Sequence, residues 1–297
     1  MTSTARSSIK LGIATMIVGI LLFAVNDALG KWLVATYSVG QVLLIRSAAA
    51  LIILVPFLWR SGIRPLVVVE RPFLQIVRVI VTSLEVYAFY FAVMYLPLAD
   101  VMTYWLAAPI YVAALSPLLL GESVGWRRWT AIFAGFVGVV IALEPSAATL
   151  TLPAIISILG SFAFAFMMLS GRALRGTPDL TLVFWQSAGA LLLGAATASF
   201  GWVTPTAFDF GLLALLGVVA MVAHVCVTRA LKLADAATVT PFQYTLLIWA
   251  IVFGWFVFGD VPRPAMLIGA GVIVAAGLFI FFREQRLKKP PSPVMEV

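Results

Sequence analysis

Between Leu11 and Phe282 the chain is a succession of apolar runs, each long enough to cross a membrane and separated by short polar breaks. Ten can be counted, at approximately 11–33, 41–59, 73–96, 98–120, 127–144, 152–172, 179–200, 208–231, 237–258 and 264–282. A helix needs about 20 apolar residues to cross a hydrocarbon core of about 30 Å, and in lipid it satisfies its own backbone hydrogen bonds. The runs therefore predict an all-α membrane protein with ten transmembrane helices. Composition agrees: 63% of residues are hydrophobic, 10% are charged, and mean hydropathy is +1.11, far from the usage of soluble domains.

The longest break, around 60–72, leaves no room for a soluble catalytic or nucleotide-binding domain, and no GxxxxGK phosphate loop is present. An enzyme and a direct user of ATP are both set aside. The lone Cys226 excludes an internal disulfide, and the lone His224 leaves little for a transition metal, so both are expected to be packed helix side chains and no cofactor is expected. Arg6 and Lys10 precede the first run, but that run is too long for a cleaved signal and carries Asp27, so it reads as an uncleaved span.

The basic residues orient the spans. With both termini in the cytoplasm, only Arg263, and Lys31 near the end of its span, fall outside. The net charge of +7 then reflects topology and anionic lipid headgroups. The partners expected are the bilayer and a small-molecule substrate, with no nucleic acid, in a monomer or homodimer. Residues 284–297 read as a disordered cytoplasmic tail.

The chain also matches itself. Residues 19–31, GILLFAVNDALGK, align with 160–172, GSFAFAFMMLSGR, and Leu96-Pro97-Leu98-Ala99-Asp100 aligns with Leu231-Lys232-Leu233-Ala234-Asp235. These matches support a duplication, with one copy at 8–145 and the other at 150–283. Five spans per copy is an odd number, so the copies must insert in opposite senses. Two inverted five-helix repeats, with a substrate site near the midplane between them, are a recurring architecture of secondary transporters.

Several motifs carry a family resemblance. Tyr95-Leu96-Pro97-Leu98-Ala99-Asp100, Ala108-Pro109 and Leu118-Leu119-Leu120-Gly121-Glu122 resemble the fourth-span pattern of the drug/metabolite transporter superfamily, EamA type. Leu233-Ala234-Asp235, Thr240-Pro241-Phe242-Gln243-Tyr244 and Phe258-Gly259-Asp260 resemble its ninth-span pattern. The resemblance implies a multi-pass protein of the bacterial inner membrane that moves small organic solutes without ATP, usually outward, through a cavity lined by spans three, four and nine. Members export amino acids, nucleobases, riboflavin and S-adenosylmethionine. Asp260 stands where the pattern often has Glu, and Thr103 where the matching position, Pro241, has proline, which leaves the pocket chemistry open.

Five ionisable residues lie inside spans: Asp27, Lys31, Arg46, Arg78 and Glu85. Each would cost about 2.5–3.5 kcal/mol facing lipid at the bilayer centre, so they should face one another or water. Asp27, next to Asn26, can pair with Lys31 four residues on, or with Arg46 entering from the same side. Gln75, Arg78, Thr82 and Glu85 form one stripe on the third span, with Glu85 beyond snorkelling reach. Arg78 is close enough to the cytoplasmic end to snorkel or to serve a cavity. Two acids against three bases leave one cation for a substrate carboxylate.

Trp32, Trp59, Trp126, Trp129 and Trp202 lie at span ends as interfacial anchors. Tyr87, Tyr90, Tyr104, Trp105, Tyr111, Trp185, Tyr244 and Trp249 lie deeper, where a phenol or indole needs a partner. Of these, Tyr87, Tyr104, Trp105, Tyr111, Trp185, Tyr244 and Trp249, together with Gln243, are candidate cavity residues. Pro109 and Pro241 interrupt spans four and nine and are candidate gate hinges. Ala131/Gly135 and Gly271/Ala275 are small-residue pairs expected to bring spans five and ten close to neighbours.

The function expected is a secondary transporter working by alternating access, exporting amino acids, aromatic ones among them, or related small metabolites. The alternative is a carrier of S-adenosylmethionine, riboflavin or a nucleoside, and a channel or scramblase is a more distant one.

Overall fold

The computed structural model describes residues 3–62, 64–67, 71–120, 125–144, 150–174, 176–233 and 239–288. Among them there is no strand. The first three spans are Ser3–Val34, Val39–Ser61 and Pro72–Tyr95. Spans five to eight are Trp126–Leu143, Leu152–Ala173, Asp179–Thr197 and Ala207–Leu233, and the tenth is Pro264–Lys288. Nine described helices are long and apolar enough to cross a membrane, and the shorter apolar segment Phe242–Phe258 supplies the remaining span, the ninth in chain order.

The helix ends follow from local chemistry. Ser38 caps the second span by accepting from the Gln41 N–H, Thr151 caps the sixth by accepting from the Ala154 N–H, and Pro72 opens the third. Gly259 closes the ninth span in the left-handed conformation, at φ 69°.

Spans four and nine are each broken. In the fourth, Leu98–Leu106 ends at a turn on Ala107 and Ala108–Leu120 follows; Pro109 has no N–H to continue the ladder across that point. In the ninth, Pro241 lies at the start of the 3₁₀ turn Thr240–Tyr244, which leads into Thr245–Phe258.

Packing between the halves is symmetric. The first span packs along the eighth and the sixth along the third, while spans two and seven, five and ten, and four and nine pair with each other. Exchanging every span with the one five places on reproduces this set, as a twofold relation between the copies requires. The detail repeats too: a Cβ on Gly19 would meet the Cβ of Cys226 at 3.0 Å, and one on Gly160 would meet the Cβ of Ala88 at 3.1 Å. The chain is thus a ten-helix membrane fold of two inverted repeats.

Two expectations are corrected. The tenth helix continues to Lys288, so 284–288 are helical, and 289–297 lie outside the described residues. Gly271 has open space around it and Ala275 is exposed. The close contact between spans five and ten instead runs through Gly138 and Gly269, where a Cβ on Gly269 would come within 2.5 Å of the Gly138 carbonyl oxygen. The tenth helix presents that face because its contact follows from how it crosses the fifth, and spacing alone does not reveal a crossing. Gly135 is indeed packed, against Ile110 of the fourth span.

Candidate functional site

The spans bring together a buried polar cluster in the half of the bundle away from the termini. Glu85, 6% exposed, accepts a hydrogen bond at 2.9 Å from the indole Nε1 of Trp105. Trp105 can approach because Gly160 of the sixth span has no side chain: a Cβ there would lie 2.6 Å from the ring. Phe89 meets the indole edge-on at 5.4 Å. Glu85 therefore touches a polar partner and not hydrocarbon alone.

Beside it, Arg46 of the second span donates from Nη1 to the Tyr90 hydroxyl at 2.6 Å and lies 5.2 Å from the centre of that ring. Tyr90 is fully buried and crosses so close to the first span that Gly30 could carry no side chain. Asn26 lies beside the same hydroxyl, and its Nδ2 donates to Asp27 at 3.4 Å. Arg46 is within Coulombic range of both Asp27 and Glu85. One guanidinium, itself hydrogen-bonded to Tyr90, lies near two carboxylates, so the cluster has more acid than base.

The pairing expected for Asp27 with Lys31 does not form. Lys31 turns to the rim, where its Nζ donates to Asp260 at 2.7 Å and to the Leu96 carbonyl at 3.1 Å. The loop after the ninth span supplies a carboxylate nearer the surface, where a Lys–Asp pair keeps part of its hydration. Beside this pair, Arg263 donates to Asp100 at 3.0 Å and to Glu144 at 2.9 Å. Together these contacts tie spans one, four and five to the loop between nine and ten at the rim away from the termini. Sequence reading missed this latch; its signal was that Lys31 and Arg263 were the two bases outside the cytoplasmic set.

The surplus-cation count changes accordingly. With Lys31 engaged at the rim, two acids face two bases, and the bases are separated. Arg46 sits with the carboxylates, whereas Arg78 lies nearer the opposite end of the third span. Arg78 is 6% exposed and so buried by protein, which removes the snorkelling option. Thr82, fully buried between Arg78 and Glu85, turns its hydroxyl back to the Val79 carbonyl at 3.2 Å.

The remaining candidates are spread more widely. Tyr104 lies beside Arg263 at the latch. Tyr111 stacks on Phe162 at 3.9 Å, and half-buried Tyr87 packs on the main core. Tyr244 leans on Gly277 of the tenth span, with half-buried Gln243 next to it. Trp249 has its indole nitrogen buried without a partner among the described residues. Trp185 does not join the cluster: it is 37% exposed and donates to the Leu66 carbonyl at 3.0 Å, at the edge of the bundle. Gly121, Glu122, Ala234, Asp235 and Thr238 lie outside the described residues.

The model of the EamA-like transporter family matches residues 10–143 and 151–282. The chain belongs to that family. Among its relatives are an S-adenosylmethionine uptake transporter of Rickettsia bellii, 24% identical over 95% of this chain and 97% of the relative, and a riboflavin transporter of Rhizobium johnstonii, 29% identical over 80% and 79%. A pseudopaline exporter of Pseudomonas aeruginosa is 25% identical over 94% and 98%. One solved crystal structure shares the fold, with a TM-score of 0.57 at 16% identity over 96% of this chain and 99% of the other. The EamA-like assignment makes this chain a membrane transporter of the drug/metabolite superfamily.

Proposed function

We propose that this EamA-like protein is a secondary carrier of the bacterial inner membrane, working by alternating access and exporting amino acids or related zwitterionic metabolites. The observation that carries this reading is the cluster of Asp27, Glu85 and Arg46, enclosed by helices of both repeats and beneath the ion-pair latch. Carboxylates in excess suit the ammonium or donor-rich part of a substrate.

With the termini in the cytoplasm, as the basic residues favour, the latch closes the external rim and the cluster is approached from inside. Breaks in the fourth and ninth spans, beside Pro109 and Pro241, serve as hinges for the exchange. A second reading, transport of S-adenosylmethionine or riboflavin, is favoured by the relatives that carry those names.

The test is counterflow in proteoliposomes, with the twenty amino acids, S-adenosylmethionine and riboflavin as separate loads. Saturable exchange of an amino acid, lost in Glu85→Gln, is the expected result. Flux confined to S-adenosylmethionine or riboflavin would move the assignment to the second reading, and conductance without saturation would replace the carrier by a channel.

A further inference from the structure

On the third span, two turns from Glu85 toward the end that bears the termini, Arg78 and Gln75 are buried to 6% and 5% exposure. The Nε and Nη1 of Arg78 and both amide atoms of Gln75 have no hydrogen-bond partner among the described residues. Burying a guanidinium and an amide without partners is costly, and such groups in a protein interior are normally satisfied. Here they stand one turn apart on one helix face, where both can turn their donors toward one ligand.

We propose that Arg78 and Gln75 form a carboxylate-binding subsite, distinct from the acid-rich cluster around Glu85. The ligand is an organic carboxylate whose two oxygens accept from the guanidinium fork, with the Gln75 amide completing the set. The seven-residue step from Arg78 to Glu85 is about 10 Å along the helix, at about 1.5 Å per residue. Between these levels the Thr82 hydroxyl is already committed to its own backbone.

The two sites are therefore complementary: a guanidinium with donors unmet among the described residues at one level and excess carboxylate at the other. A zwitterion whose charges lie several bonds apart, as in 6-aminohexanoic acid, fits this arrangement, its anionic end at Arg78 and its cationic end at Glu85, whereas an α-amino acid engages Arg78 through its carboxylate alone. This assignment rests on the carrier reading above and specifies that the cationic end of the substrate leads on entry from the cytoplasmic side.

The experiment measures binding by thermal shift on the full chain in detergent, using acid and amide pairs as probes: L-phenylalanine and its amide, L-methionine and its amide, and 6-aminohexanoic acid and its amide. In the wild-type protein the acids bind at least about tenfold more tightly than the amides, the discrimination one bidentate carboxylate contact supplies. Arg78→Gln removes that preference. Arg78→Lys, which keeps the charge and guards against a folding defect, restores it in part.

Equal binding of acid and amide, or an unchanged acid preference in Arg78→Gln, overturns the subsite and leaves the carrier reading intact. Binding of none of the six probes by the wild-type protein overturns the subsite together with the zwitterion assignment.

Discussion

Lys31 and Asp260, 229 residues apart, meet at 2.7 Å and join the end of the first span to the loop between the ninth and tenth. Each belongs to a different repeat, so this pair cannot persist through any motion that separates the repeats at this rim. Arg263, reaching Asp100 and Glu144, acts at the same place.

Breaking the pair should open that rim. Lys31→Met removes a charge-assisted contact worth about 1 kcal/mol at this partly exposed position, enough for a several-fold population shift. In a Cys226→Ser background, a cysteine at Ala99, which is 4% exposed, should become several-fold more reactive to an impermeant maleimide. Exchanging the charges, Lys31→Asp with Asp260→Lys, should reverse most of the gain. Unaltered reactivity in Lys31→Met would show that the pair does not hold the rim closed.

Trp105 and Glu85 should prove energetically coupled. Trp105→Phe leaves a buried carboxyl oxygen without its donor, a loss of about 1.5–3 kcal/mol. Glu85→Gln alone keeps an acceptor and should cost less. A double-mutant cycle from detergent thermal unfolding should give a coupling of at least about 0.5 kcal/mol, and simple additivity would mean the 2.9 Å contact contributes nothing.

The contact of spans five and ten can be separated from its neighbours by single methyl groups. Gly269→Ala places a Cβ 2.5 Å from the Ala142 nitrogen and the Gly138 oxygen, and overpacking of this kind costs about 1–3 kcal/mol. Gly271→Ala meets open space and should leave the melting temperature within error. Equal effects at the two sites would place the tenth helix differently.

Outside the spans, Tyr37 donates to Asp209 at 2.7 Å, and this contact, with lesser burial and charge contributions, raises the phenol above its ordinary value of 10.0. A raised value in the folded state means that the contribution is fully present below about pH 10 and is lost as pH rises through the folded value. The stability difference between wild type and Tyr37→Phe should therefore be constant below about pH 9 and shrink above about pH 10. A difference that grew with alkaline pH would contradict the contact.

Ten spans, two repeats and the odd count that inverts them could be read from the chain, because about 20 apolar residues between polar breaks have one stable outcome in lipid. The breaks at Pro109 and Pro241 were legible for the same local reason, a missing N–H. The third-span stripe was also legible, since Gln75, Arg78, Thr82 and Glu85 share one face of any helix and all four are buried.

What the sequence alone determined, then, is the number of helices, their repeat and which faces are polar, all consequences of period and of the cost of charge in hydrocarbon. Only the tertiary structure decided the partners: Lys31 with Asp260 and not Asp27, Trp105 with Glu85, Arg46 with Tyr90, and Trp185 outside the cluster. Such pairings depend on how helices distant in sequence cross and how closely they approach. Small residues such as Gly30 and Gly160 set that approach, and a one-dimensional pattern does not record what they face.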